Sequence, residues 1–267
     1  MSRRPLLWGG AAVYLGATYA AYRYFVPEKA QTSGNSADRS KSLHDPFLKS
    51  YAKVNGVYVP RFSSSAASEP ESEVKHSNRS GFGVFSSIAG NYDKWIDADE
   101  TMMGLKLFRR WICRKATGRV LEVSAGTGRN IGYYSSSRVS GPVTLVDASQ
   151  EMLDEAAAKL EGDEGVPRRD PSGVEYHLRS ASVEQLPFED GAFDTVVQTF
   201  GLCSCGDPVQ AVREMARVCK AGGDILLLEH GASTWGWLER KLEQGASEHA
   251  RKWGCWWNRD MLAIVEA

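Results

Sequence analysis

Val120-Leu121-Glu122-Val123-Ser124-Ala125-Gly126-Thr127-Gly128 is the stretch whose reading decides the fold. With Arg119 it forms a short run rich in Val and Leu, the composition of a strand buried on both faces of a parallel sheet. One acidic residue, Glu122, stands inside it, and Ser124, Gly126 and Gly128 follow at alternate positions. Side chains this small let the main chain turn sharply out of a strand and let a ligand approach the backbone. A strand that delivers such a turn is the first unit of a doubly wound sheet. Ligands bind there outside the carboxyl ends of the strands, where strand order reverses.

The flanking pattern agrees. Residues 142–146 read as a second buried strand ending at Asp147. Residues 149–160 read as a helix with Met152, Leu153, Ala156 and Leu160 on one face. Three more strands are expected at 174–178, 193–199 and 224–229, with a polar loop over 161–173. Residues 84–116 have helical spacing, and a helix is expected at 128–135 after the glycine turn. Asp207 is placed as an N-cap, Pro208 as the first helical residue and Gln210 as its capping-box partner. Val212, Met215, Ala216 and Cys219 then share a face until Gly222-Gly223 ends the helix. Strands alternating with helices imply a mostly parallel α/β sheet with right-handed crossovers.

Two cofactor classes use a strand, a glycine turn and a helix. The dinucleotide pattern needs a third glycine where this chain has Ile131, which disfavours a nicotinamide cofactor. An acidic residue followed by alternating small residues suits S-adenosylmethionine (SAM). Ser124, Ala125, Gly126 and Gly128 leave room for its methionine part, and Glu122 offers acceptors to its ammonium group. Asp147 can accept from both ribose hydroxyls, with Ala148 beside it and Met152 against the adenine. Residues 183–194 supply a third element, a polar turn with a Leu186-Pro187-Phe188 step before the fourth strand.

Bulk numbers exclude some classes. The 267 residues carry a formal net charge of −1, with 42% hydrophobic and 24% charged residues, so no basic balance points to nucleic acid. Cys113, Cys203, Cys205, Cys219 and Cys255 are odd in number and contain no Cys-x-x-Cys pair. Neither a disulfide framework nor a metal site is expected from them.

The N-terminus reads differently. Residues 6–26 hold one charge, Arg23, and have the length of a bilayer-spanning helix, with Trp8, Tyr22 and Tyr24 near the ends. A transmembrane anchor is expected within residues 1–30. A cleaved secretory signal and a mitochondrial presequence are the alternatives. Residues 31–80 read as a polar, mostly disordered tether, with a more apolar patch at 46–62 that docks locally. The catalytic domain is expected over 81–267.

The motifs LEVSAGTGRN, LVDASQEML, LPFEDGAFDTVV and VCKAGGDILLLEHG resemble those of class I SAM-dependent methyltransferases, in particular the group similar to UbiE-type quinone C-methyltransferases. FSSIAGNYDKWID resembles that group's N-terminal helix, which folds over the cofactor. FGLCSCGDP, LLLEHG and HARKWGCWWNRDM are similar to a fungal group that pairs this domain with a mitochondrial inner-membrane anchor. The resemblance implies a membrane-anchored methyltransferase with SAM as cofactor and a small, lipophilic acceptor, located at the mitochondrial inner membrane. A non-catalytic assembly or stability factor on the same fold is the alternative. Ser182 stands where many members have an Asp that reads the adenine, so the backbone of Val183 is expected to do most of that work. The family continues into two more strands where this chain ends at Ala267, which would leave the edge of residues 225–229 unpaired; a truncated sequence is expected, with a partner protein covering that edge as the alternative. Thr199, Phe200 and Gly201 are expected beside the reacting methyl group. His230 is the candidate base, followed by Glu229 and Tyr92. Trp235, Trp237, Trp253, Trp256 and Trp257 suit an acceptor pocket, a membrane interface or core packing.

Overall fold

The computed structural model describes residues 12–14, 17–25, 51–54, 57–60, 81–160, 168–233 and 235–267, with backbone alone for those before 81 and for 168–169. Their elements, in chain order, are β1 (Ala12–Tyr14), β2 (Ala17–Phe25), β3 (Tyr51–Val54), β4 (Val57–Pro60), α1 (Phe82–Met102), α2 (Leu105–Cys113), β5 (Gly118–Val123) and β6 (Val139–Asp147). There follow α3 (Gln150–Ala157), β7 (Arg168–Arg169), β8 (Glu175–Ser180), β9 (Phe193–Thr199), α4 (Pro208–Val218), β10 (Cys219–Gly231), α5 (Gly236–Trp253) and α6 (Met261–Glu266).

The glycine-turn strand, β5, lies near the middle of an eight-stranded sheet of order β1-β2-β10-β9-β5-β6-β8-β7. The five strands from β10 to β8 are parallel, and antiparallel strands flank them on both sides. The chain leaves β5 toward β6 on one side and returns to β9 on the other, which opens a crevice at their carboxyl ends. Apolar side chains fill both faces of the sheet. Along β10, Ile225 and Leu227 join one core cluster, while Leu226 and Leu228 join the other. The Asp207 cap forms as expected, its Oδ1 accepting from Gln210 N at 2.9 Å, although the Gln210 side chain donates to the Glu184 carbonyl instead of closing a box; the helix ends at Val218, earlier than expected, and Cys219 and Gly222-Gly223 belong to β10.

Three expectations are corrected. Residues 128–135 are not a helix but a series of turns, with Ile131 N bonded to Gly128 O and Tyr133 N to Asn130 O. Gly128 (φ +72°) and Gly132 (φ +84°) lie in the left-handed region, which breaks any helix there.

The expected transmembrane helix is likewise not formed. Residues 12–14 and 17–25 are strands, and the rest of 6–26 lies outside the described residues. No helix among the described residues is long and apolar enough to cross a membrane. Apolar length alone does not distinguish a helix from a strand. Thr18, Tyr19, Tyr22, Tyr24 and Phe25 favour extended backbone, and a sheet edge offers them a template.

That edge is the third correction. β2 pairs antiparallel with β10 from Phe25↔Asp224 to Thr18↔Gly231, so the strand expected to lie bare or beneath a partner protein is paired by this chain's own N-terminal segment. Within the apolar patch at 46–62, β3 pairs with β4. The intervening dipeptide, Asn55-Gly56, is a strong hairpin signal in the sequence. The remainder of the expected tether lies outside the described residues.

Candidate cofactor and active site

At the carboxyl ends of β5 and β9 lies a cleft open to solvent. Ser124, Ala125, Gly126, Asp147, Ala148, Met152, Ser182, Val183 and Thr199 line it, as does Tyr92 from α1. Of the expected cofactor residues, Glu122 and Gly128 do not.

The glycine turn is built by backbone conformation. Ser124 (φ +51°) and Gly126 (φ +55°) both take left-handed values. A Cβ on Gly126 would meet nothing within 4 Å, so a side chain there would project into the cleft. Gly128 does a different job: a Cβ there would come within 3.1 Å of Ala156 Cβ, so its absence lets the turn pack on α3.

Asp147 closes the floor. Its Oδ2 accepts from Gly126 N at 2.8 Å and its Oδ1 from Ser149 N at 2.9 Å. The carboxylate retains acceptor capacity beyond these bonds. Burial raises the Asp147 pKa, against the backbone N–H donors of Ser149, Gly126 and Ala148. Ser149 caps α3, accepting from Met152 N at 3.2 Å, and this sets Met152 against the cleft. Ser182 Oγ accepts from Glu184 N at 3.2 Å within its own turn.

Sequence reading missed a polar wall on the other side. Arg109 of α2, 4% exposed, donates to Glu100 Oε1 (2.8 and 3.1 Å), Thr199 Oγ1 (2.6 Å) and Asn130 Oδ1 (3.2 Å). Asn130 Nδ2 passes the network to Glu122 Oε1 at 2.9 Å, and Tyr134 OH donates to Glu122 Oε2 at 2.6 Å. Arg129 bonds Glu100 Oε2 at 2.6 Å and Asp97 Oδ1 at 3.0 Å. Thr127 Oγ1 donates to Asp93 Oδ1 at 2.6 Å, and Lys159 pairs with the same carboxylate. Three carboxylates of α1 thus hold that helix over the glycine turn. Arg109 and Arg129 both line the cleft and offer cationic donors to an anionic ligand group. Arg129 lies in the LEVSAGTGRN motif, where only the glycines draw notice, and Arg109 belongs to no motif at all. Their convergence depends on how α1 and α2 fold across the strand ends.

Glu122 therefore stands one layer behind the cleft. Burial lifts its pKa to about 7, against Tyr134, Arg109 and Asn130. A carboxyl whose folded pKa lies above its unfolded value stabilises the fold when protonated. Stability is thus present below about pH 4.5, falls as pH rises through the window to about 7, and stays lost above it. Glu122→Gln removes this dependence. We expect its melting temperature, relative to the parent without cofactor, to climb between pH 5 and 8; a constant difference across that range would contradict the assignment.

The candidate bases separate by position. Tyr92 lines the cleft, and burial holds its phenol protonated, well above the usual tyrosine range. Glu229 does not line it. Its Oε1 accepts from Gly201 N (3.0 Å) and Leu202 N (3.2 Å), and burial raises its pKa to about 8. His230 does not line it either, and its Nε2 lies 3.1 Å from Cys255 Sγ. Of the tryptophans, Trp253 and Trp257 pack on the core, Trp235 and Trp237 form an exposed pair, and none of the five lines the cleft.

The architecture and the cleft agree with the comparisons to known proteins. Residues 73–247 match the model of the ubiE/COQ5 methyltransferase family. The mitochondrial methyltransferase OMS1 of Saccharomyces cerevisiae is 33% identical over 186 residues, 67% of this chain and 39% of the relative. The ubiquinone/menaquinone biosynthesis C-methyltransferase UbiE of Bdellovibrio bacteriovorus is 34% identical over 153 residues, 55% of this chain and 60% of the relative. A phosphatidylethanolamine N-methyltransferase of Cereibacter sphaeroides is 41% identical over 117 residues, 43% of this chain and 52% of the relative. The chain thus spans between 39% and 60% of the length of these curated relatives. With well over half of its residues under the family model, and the glycine turn and Asp147 inside that match, the chain belongs to the ubiE/COQ5 methyltransferase family.

Proposed function

We propose that this chain is a SAM-dependent methyltransferase that alkylates a small lipophilic acceptor, and that it works in a mitochondrial setting. The observation that carries the reading is the meeting of Gly126 and Asp147 in one cleft roofed by α1. The residues present suit the cofactor. Gly126 leaves open space where a side chain would stand, Asp147 keeps acceptor capacity for two hydroxyls, and Met152 presents an apolar surface. Arg109 and Arg129 suit a carboxylate at the methionine end, and Glu122, through Asn130 and Thr199, positions the donors around it.

When bound, SAM supplies a methyl group on a sulfonium, an electrophile with a good leaving group. The work left to the protein is alignment and exclusion of water. Phe200 (φ +58°) and Gly201 fix the turn after β9, and a Cβ on Gly201 would lie within 2.7 Å of Ser124 Cβ. The two turns that flank the reacting centre are thereby locked together. Arg109 lies 4.8 Å from the Phe200 ring centroid and holds that ring from the other side. Tyr92 is the candidate that reaches the cleft, and as a protonated phenol it orients an acceptor by hydrogen bonding. The lipophilic acceptor rests on the similarity to the UbiE and phosphatidylethanolamine enzymes, and the mitochondrial setting on the similarity to the yeast protein.

The test is transfer of radiolabelled methyl from SAM into organic-extractable product. Two probes are offered: a short-chain benzoquinol lacking its ring methyl, and phosphatidylethanolamine in vesicles. Label in either product, lost in Asp147→Ala, supports the reading. SAM binding with no transfer to any extract of mitochondria would favour the assembly-factor reading instead.

A further inference from the structure

The sequence places Cys203, His230 and Cys255 far apart, with none of the short spacings of a metal motif. The fold brings them together. Cys203 lies in the turn region after β9, His230 sits near the end of β10, and Cys255 follows α5. Their ligand atoms all lie within 4.8 Å of one another, and Cys255 Sγ is 3.1 Å from His230 Nε2. Both thiols are buried, at 2% and 7% exposure.

The surroundings hold the cluster firmly. Trp256 N donates to Cys203 O at 2.9 Å, which ties the Cys255 segment to the Cys203 loop. Arg259 donates to the carbonyls of Leu202 (2.5 Å) and Cys205 (2.7 Å) on either side of Cys203. Ala232 N returns a bond to Arg259 O at 2.7 Å, which anchors the segment after His230 to the same strap. The Phe200 ring meets His230 edge-on at 5.9 Å.

We propose that Cys203, His230 and Cys255 bind one thiophilic d¹⁰ cation of the zinc class. Two sulfurs and one imidazole nitrogen are the donors such an ion prefers, and a cluster without carboxylate or carbonyl oxygen does not suit magnesium or calcium. Tetrahedral zinc with bonds of about 2.0–2.3 Å needs ligand atoms roughly 3.3–3.8 Å apart, so the observed spacing requires shifts of about 1 Å or less. The imidazole separates this reading from a simple disulfide, which would leave His230 with no part in the cluster. Binding breaks two S–H bonds, sends two protons to solvent, and forms two metal–sulfur bonds and one metal–nitrogen bond; no electrons move. Two thiolates cancel the charge of a divalent ion, as a buried site requires. Three protein ligands leave a fourth position for water or another ligand, the pattern of an open zinc site. The cation would sit behind the cleft floor, because Phe200, Gly201, Ser204 and Cys205 of the same loop line the cleft. This assignment does not depend on the identity of the methyl acceptor.

The test titrates the full chain, reduced and stripped of metal, with cobalt(II) and then zinc(II). We expect one cobalt per chain, the visible spectrum of a tetrahedral site and a thiolate-to-cobalt charge-transfer band, all bleached by zinc. Cys203→Ser and Cys255→Ser should each lose the charge-transfer band, while Cys219→Ser, a buried thiol outside the cluster, keeps it. A second readout needs no variant: zinc should protect Cys203 and Cys255 of the parent from alkylation, relative to the metal-free chain. No charge-transfer band in the parent, a band unchanged in both cluster variants, or equal alkylation with and without zinc would overturn the proposal. SAM affinity, measured on the same samples, reports separately on the methyltransferase reading.

Discussion

Arg109→Ala is expected to destabilise the cofactor-free chain by about 3 kcal/mol, near the low end of the cost of breaking a buried ion pair. Arg109 and Glu100 are 4% and 5% exposed, and the guanidinium makes four hydrogen bonds, to Glu100, Thr199 and Asn130. Truncation leaves Asn130 Oδ1 without its donor and removes half of the cationic support for Glu100. The low end applies because Arg129 still bonds Glu100 Oε2 at 2.6 Å. For a domain of this size the melting temperature should fall by roughly 6–12 °C. Arg109→Lys should recover only part of the loss, because a point charge cannot reach Glu100, Thr199 and Asn130 together. Denaturant unfolding of the three proteins checks this. A loss below about 1 kcal/mol for the alanine variant would be the value of a surface pair and would contradict the buried network.

The second large effect is on ligand affinity. Asp147→Ala should weaken SAM binding by about 100-fold, with little loss of fold stability. Hydrogen bonds to a charged group contribute about 1.5–3 kcal/mol each, so losing two from ribose hydroxyls costs about 3 kcal/mol or more, which is roughly 100-fold in Kd. The variant also strips Gly126 N of its acceptor and loosens the glycine turn. Fold stability is spared because burial disfavours the charged form of this carboxylate. Asp147→Asn should fall between parent and alanine, since its amide retains one acceptor oxygen. Equilibrium dialysis at matched pH measures all three; a change below threefold would remove Asp147 from the cofactor site.

The legible and the illegible parts of this molecule divide along a physical line. β5, β6, β9 and α4 were readable because their signals are local: apolar runs, a capping aspartate and small residues at alternate positions. Asp147 was readable because it ends a strand beside the one that carries the glycines. Arg109 was not, since nothing in its neighbourhood distinguishes it from Arg110, which points elsewhere. Glu122 lies in the motif and so reads as a cofactor residue, yet it sits behind Asn130 and Tyr134. The Cys203, His230 and Cys255 cluster was invisible because its ligands come from three separate segments.

Residues 17–25 illustrate the opposite failure. Their signal was strong but ambiguous. An apolar, aromatic-rich stretch meets the length criterion for a membrane helix, and it also meets the side-chain preference of an edge strand. What decides between them is a long-range feature, the open backbone of residues 224–231, which no window along the sequence contains. The expected helix at 128–135 failed for a simpler reason. Gly128 and Gly132 stand in left-handed conformations that a continuing helix cannot hold.

Calorimetric titration of the intact parent chain with SAM tests most directly whether the cleft at the ends of β5 and β9 is a SAM site. The expected result is saturable binding of one SAM per chain, lost when the glycine turn is blocked by Gly126→Val. Absence of measurable heat at millimolar SAM, with the chain shown to be folded, would contradict it.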